Sequence, residues 1–238
     1  MDLRKTLKRA KAVAEGHFVY KALYMHGQGY IDKDQFSFLG ANDLIEILEA
    51  EAEKALNMGL ELDKYKEVVL LTPAYGAIKL GLPIAAYLEK RTGTKIYVIE
   101  TEVERDEKGL RYHIIPDNQK KRIIGLPVFG EEDIVNNGKT LIELNKLSVS
   151  QLGSEMFAAL AIIDRGGQTT KSLGISKYYP YWRIDMTQHD VRNSMCPLCA
   201  AGVPINIDLG KGAGWVKMFG QPPYPPDMDF SAFWEKAA

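Results

Sequence analysis

Short apolar runs alternate with amphipathic helical stretches along the middle of the chain, and this alternation most restricts the fold. Val68–Leu71, Ile96–Ile99 and Phe157–Ile163 have the length and β-branched content of buried strands. Between them lie helical patterns. Leu44, Ile45, Leu48, Ala52, Ala55 and Leu56 give one helix an apolar face, with Asn42 as its expected cap and Gly59 at its end. A second runs from the turn TPAYG to about Arg91, where Gly93 breaks it, and Pro83 predicts an irregular or kinked first turn. A third follows EEDIVNNGKT and runs to about Leu147. Such alternation predicts an α/β fold with a mostly parallel central sheet flanked by helices. Pro127 fits a central strand poorly, which sets a limit on the strand near it.

The flanks read differently. Leu3, Leu7, Ala10 and Ala14 recur at helical spacing up to Gly16. The stretch HFVYKALYMHGQGYIDKDQF predicts two short strands joined at HGQG. Residues 101–120 are strongly charged, with ERDEKG at the tip, and predict an exposed loop or hairpin. Tyr178, Tyr179, Tyr181 and Trp182 crowd together as core or dimer contact, and QPPYPPD predicts an extended tail packed on the surface. The expected organisation is an N-terminal helix and hood strands over residues 1–40, an α/β core over 41–210 and a tail over 211–238.

Composition narrows the class. A chain of 238 residues with a net charge of −1 gives no reason to expect nucleic acid or a membrane surface as partner. The apolar run Phe157–Ile163 is far shorter than the roughly 20 residues that cross a bilayer. Two cysteines cannot form a disulfide framework, so a reducing, cytoplasmic setting is expected.

Chemistry concentrates in Glu131-Glu132-Asp133-Ile134-Val135-Asn136-Asn137-Gly138-Lys139-Thr140. Three carboxylates close a strand, a polar turn with one glycine follows, and a helix begins. N–H groups at a helix N-terminus suit a phosphate, and a glycine lets the backbone approach it closely. The acidic pair suits ribose hydroxyls or a Mg²⁺ that bridges to phosphate oxygens. A plain strand-to-helix turn with capping residues uses the same residue types.

The segment resembles the phosphoribosyl-diphosphate (PRPP) binding motif of type I phosphoribosyltransferases. The resemblance makes Glu132 and Asp133 the catalytic acidic pair on the ribose hydroxyls. Ile134 and Val135 are then the motif's apolar residues, and Asn136, Asn137, Gly138, Lys139 and Thr140 surround the 5′-phosphate. Four further segments, in order, are similar to orotate phosphoribosyltransferase. In GHFVYK, Lys21 matches a lysine that contacts diphosphate and base. Tyr30 and Ile31 fall beside the base. In TPAYG, Tyr75 and Gly76 match the diphosphate loop. In IIDRGG, Arg165 matches the arginine on orotate, with Asn136 also near the base. CPLCAAGVPI, residues 196–205, resembles a C-terminal signature of one bacterial-type branch. The resemblance implies a type I phosphoribosyltransferase-like fold with a small N-terminal hood. It implies transfer of phosphoribose from PRPP to orotate with Mg²⁺, and a homodimer whose mobile loop reaches the neighbouring active site.

The chain departs from the pattern at that loop. Thr101 occupies the place of the family's catalytic lysine, and Arg105, Lys108, Arg111 and His113 are the candidate replacements. Lys79, one helical turn beyond Gly76, is a candidate for a diphosphate-loop cation. The departures leave open a phosphoribosyltransferase for another base, or a regulatory module that binds nucleotide or PRPP without turnover. Cys196 and Cys199 form a single CxxC, expected as a packed thiol pair, since a zinc site needs about four ligands and His189 is the nearest histidine in sequence. His17 and His26 are expected as hydrogen-bonded structural residues. No residue is directly assigned to a metal.

Overall fold

The computed structural model describes residues 5–7, 12–20, 24–32, 35, 39–73, 78–105, 107, 111–184 and 186–235. They fall into two compact units, Gly40–Asp185 and Asp2–Leu39 with Met186–Ala238. The boundary therefore lies near residue 185 rather than 210, and the C-terminal residues belong with the N-terminal strands.

The first unit holds the parallel sheet that the apolar runs predict. Strands β3 (Glu67–Thr72), β4 (Lys95–Glu100), β7 (Val128–Val135), β8 (Met156–Asp164) and β9 (Lys177–Arg183) pair in the order β4-β3-β7-β8-β9, all parallel. In chain order this is second-first-third-fourth-fifth, a doubly wound sheet whose direction of winding reverses between β3 and β7. Helices α1 (Ala41–Asn57), α2 (Ile78–Thr92), α3 (Asp117–Ile123) and α4 (Lys139–Leu147) connect the strands. Val69, Leu71, Val128, Ala159 and Ala161 pack with Leu141, Leu144 and Leu147 of α4 in one buried cluster. Each buried Val or Leu in it contributes about 1.5–3 kcal/mol. Pro127 stays outside the ladder: β7 begins at Val128, and the Pro127 carbonyl accepts the Val69 N–H at 2.8 Å. The charged stretch is a hairpin, β5 (Glu102–Arg105) against β6 (Arg111–Ile114), which leaves the end of β4.

Some expectations shift. Gly40, not Asn42, is the N-cap of α1. Ile45 is 42% exposed, and the helix buries Ile47 and Glu51 beside Leu48, Ala52 and Ala55.

In the second unit, β1 (Val13–Val19) pairs antiparallel with β2 (Met25–Ile31), and β10 (Gln188–Asp190) pairs with β2. Strand β1 already starts at Val13, so Ala14 is not helical, and Gly16 sits at a ladder irregularity with φ 146° instead of ending a helix. HGQG is not a turn but the body of β2. A Cβ on Gly27 would meet Tyr20 Oη at 2.4 Å, and one on Gly29 would meet Met186 Cε at 2.9 Å, so both glycines make room for side chains lying over the strand. The tail is not merely extended. Helices α7 (Gly212–Phe219) and α8 (Ser231–Glu235) bring Trp215, Phe219, Phe230 and Phe233 into one aromatic core with Tyr224.

Candidate functional site

The acidic motif occupies the carboxyl end of β7. Pairing with β3 stops at Leu71↔Gly130, so Glu131–Val135 border only β8 and lie along the crevice where the winding reverses. Ligands of doubly wound sheets bind at this place. Glu132 and Asp133 are nearly buried, at 8% and 5% exposure. Asp133 Oδ1 accepts the N–H of Ile134 at 2.8 Å, which fixes its carboxylate against its own backbone. Glu131 turns inward instead. It is fully buried beside Glu51 of α1, and desolvation first, then the neighbouring carboxylates, push its pKa well above the ordinary range.

The turn after β7 is held by chemistry that the motif alone does not reveal. Gly138 has φ 73° and is the N-cap of α4, and a Cβ there would meet Leu173 Cδ2 at 2.3 Å. Asn137 Oδ1 accepts the Lys139 N–H at 3.1 Å. Lys139 itself is exposed, with its ammonium 3.6 Å from Glu143 one helical turn on. Thr140 lies half-buried in the first turn of α4 and Asn137 is exposed.

A second turn, residues 164–168, packs against the first. The Arg165 N–H donates to the Val135 carbonyl at 2.9 Å, and Gln168 Nε2 donates to the Asn136 carbonyl at 2.7 Å. Asp164, fully buried at the end of β8, accepts the N–H groups of Gly166 and Gln168 at 3.0 and 3.3 Å. Its ionic neighbour is Arg183, at 3.8 Å, whose guanidinium also donates to the Gln168 carbonyl at 3.0 Å. Arg165, half-buried, thus starts from the same end of the sheet as Glu132 and Asp133. Gln168, Gly166 and Arg183 escaped the sequence reading, although DRGGQ carries the first two. Their roles depend on contacts with residues about 30 positions upstream or 15 downstream.

Lys79 is exposed on α2. Arg105 and Arg111 stand opposite each other next to the hairpin tip. His113 is half-buried with Nδ1 2.8 Å from Thr101 Oγ1, and burial lowers its pKa, opposed by Glu143. Tyr30, half-buried, and Ile31, buried, are on β2 of the second unit, with the Tyr30 ring 5.5 Å from Phe18. Lys21, Tyr75, Gly76 and Lys108 lie outside the described residues.

No family model matches the chain. Its sequence is 30% identical over 207 residues to orotate phosphoribosyltransferase of Carboxydothermus hydrogenoformans, covering 86% of this chain and 95% of that protein. It is 24% identical over 212 residues to orotate phosphoribosyltransferase of Thermotoga maritima, covering 88% and 98%. Among solved structures, orotate phosphoribosyltransferase of Francisella tularensis shares the fold with a TM-score of 0.54 at 14% identity, over 76% of this chain and 82% of that one. Leishmania donovani UMP synthase reaches 0.50 at 19% identity, over 75% of this chain and 35% of that one. The parallel sheet, the acidic strand end at its reversal point and the extent of these similarities lead to one assignment: the chain belongs to the orotate phosphoribosyltransferase family.

Proposed function

We propose that the protein transfers the phosphoribosyl group of PRPP to orotate, forming orotidine 5′-monophosphate and diphosphate, a step of pyrimidine biosynthesis. The observation that supports this most is the match to a named orotate phosphoribosyltransferase over 86% of the chain. An acidic pair at the reversal point of the sheet adds to it.

In this reading Glu132 and Asp133 accept the ribose hydroxyls. The first N–H groups of α4, beyond the left-handed Gly138, receive the 5′-phosphate. Asn136 and Thr140 add side-chain donors to the same phosphate. Arg165 forks onto the anionic edge of orotate, as a guanidinium does on carboxylates. Holding both reactants this way turns a bimolecular displacement into one within a single complex. The oxygen-only donors Glu132 and Asp133 also fit Mg²⁺, which favours carboxylates together with substrate phosphates. When bound with PRPP, that ion supplies positive charge against the departing diphosphate. The proposal includes a homodimer whose β5–β6 hairpin serves the neighbouring site. It also includes a cytoplasmic setting, which suits two free cysteines; no helix among the described residues is long and apolar enough to cross a membrane.

Loss of orotate absorbance on mixing the protein with orotate, PRPP and Mg²⁺ tests the proposal. The decrease should depend on PRPP and vanish in Arg165→Ala, and Asp133→Asn should sharply weaken PRPP binding. Heat protection by PRPP without any decrease would overturn orotate as the acceptor.

A further inference from the structure

The second unit buries a cluster outside the site described above. His17 of β1, His26 of β2, and Cys196 and Cys199 of the turn before and within α6 (Pro197–Ala200) converge, each at most 1% exposed. One ligand-type atom from each residue lies within 4.8 Å of the other three. His17 Nε2 is 3.1 Å from His26 Nδ1, and Cys199 Sγ is 3.6 Å from the former and 3.4 Å from the latter. Cys196 Sγ is 3.9 Å from His17 Nε2.

These spacings are those of a coordination tetrahedron. Zinc bonds of about 2.0–2.1 Å to nitrogen and about 2.3 Å to sulfur give edges of roughly 3.3 Å between nitrogens and roughly 3.6 Å between nitrogen and sulfur. A packed thiol pair has no need to crowd both sulfurs onto two ring nitrogens that already face each other. We propose that His17, His26, Cys196 and Cys199 form a structural zinc site.

The surroundings support it. Nδ1 of His17 is 2.8 Å from the Val203 carbonyl, the outer contact that fixes a ligating imidazole with Nε2 toward the metal. His17 lies in the irregular stretch of β1 between Glu15 and Phe18, two residues before Val19, which pairs with His26. The CPLC turn places its two thiols one helical turn apart, and the Ala200 N–H closes it on the Cys196 carbonyl at 3.0 Å. Trp215, fully buried, stands edge-on to His26 at 4.4 Å between ring centroids and seals that side. Four protein ligands in a dry pocket leave no open position, so the site is structural rather than catalytic. A mixed nitrogen and sulfur tetrahedron selects zinc over magnesium. The ion would tie the first hairpin of the chain to a turn about 170 residues later, a fastening for a unit built from both chain ends. Sequence spacing concealed this, because each half of the ligand set is incomplete and His189, the nearest histidine in sequence, is not in the cluster.

The test is metal analysis of the full-length, untagged protein by mass spectrometry. One zinc per chain is expected, with at least a tenfold loss of bound zinc in His17→Ala and Cys199→Ser. To separate metal loss from misfolding of those variants, the wild type is also stripped with a chelator while a zinc-sensitive dye reports release, then refilled with Co²⁺. Thiolate-to-cobalt charge transfer and intense tetrahedral visible bands are expected, and Cys199→His, which keeps four ligands, should retain the metal with a weaker charge-transfer band. Substoichiometric zinc together with absent cobalt bands, or a Cys196–Cys199 disulfide in the purified protein, would overturn the site.

Discussion

The hydroxyl of Thr101 lies 2.8 Å from Nδ1 of His113, at the point where β4 gives way to the β5–β6 hairpin. Thr101 is only 2% exposed, and its N–H donates to the Thr72 carbonyl at 2.9 Å. Thr101 therefore serves as a joint between β3, β4 and the hairpin base. Burial lowers the pKa of His113 and so favours its neutral form, with Glu143 opposing. Its folded pKa is lowered from 6.5, so its contribution to stability is present above that value and is lost as pH falls through the folded pKa. Thermal unfolding followed from pH 7.5 to about pH 5 should show a falling midpoint in the wild type. The decline should be shallower in His113→Gln; equal slopes would remove His113 from the account.

In the proposed reaction the β5–β6 hairpin would supply cationic charge. Arg105 and Arg111 face each other across the ladder next to the tip. Replacing both with alanine should lower kcat by about 100–1000-fold, the scale of one lost charge-stabilising donor. Arg105 is exposed on a two-stranded hairpin, so the melting temperature should barely move. Steady-state kinetics beside a thermal melt separates the two effects. An unchanged kcat would take the hairpin out of catalysis.

Glu51 and Glu131 form a buried carboxyl pair beneath the acidic strand end. Neither has a hydrogen-bond donor among the described residues, and one shared proton would satisfy both. Desolvation raises both pKa values well above the ordinary 4.5; the partner carboxyl and Glu132 add to the rise at Glu131, while hydrogen bonding with Glu131 and then the charge of Lys54 oppose it at Glu51. A raised folded pKa means stability that is complete below about 4.5 and declines as pH rises toward the folded value. Glu51→Gln keeps the shape and removes one titrating group. Its stability relative to wild type should improve between pH 5 and pH 9, by about 1–3 kcal/mol, the scale for relieving an unsatisfied buried polar group. Urea unfolding at several pH values measures this, and a constant difference would show that the pair does not titrate in that range.

The sheet and the acidic turn were legible because their signals are local. Val68–Leu71 and Phe157–Ile163 are apolar runs whatever packs on them, and Gly138 follows a strand and precedes a helix within a few residues. What stayed hidden depends on distant partners. HGQG carries turn-type glycines, yet Tyr20 and Met186 occupy the space above Gly27 and Gly29 and keep them in a strand. Glu131 reads as one more site carboxylate until Glu51, 80 positions earlier, meets it in the interior. The ring nitrogens of His17 and His26 meet the CPLC thiols only once both chain ends share one unit.

The two turns of the site should also prove inseparable. A Cβ on Gly166 would lie 1.6 Å from the Asn136 carbonyl oxygen, a side-chain atom against backbone, so Gly166→Ala must displace the turn after β7. Gln168→Ala removes the 2.7 Å bond from the amide to that same carbonyl, with the amide's 3.2 Å bond to the Gly166 carbonyl and the 2.9 Å bond that its oxygen accepts from the Ser172 hydroxyl. The expected order is therefore fixed. Gln168→Ala should raise the KM for PRPP about two- to tenfold, since a typical hydrogen bond contributes about 0.5–1.5 kcal/mol. Gly166→Ala should raise it at least about tenfold, with a melting temperature lowered by several degrees, because overpacking costs about 1–3 kcal/mol. Initial rates across a PRPP series, with orotate saturating, give both values. A Gly166→Ala protein with wild-type KM would mean that the turn at 164–168 does not position the phosphate turn, and the acidic motif would then have to hold its shape through Gly138 and Asn137 alone.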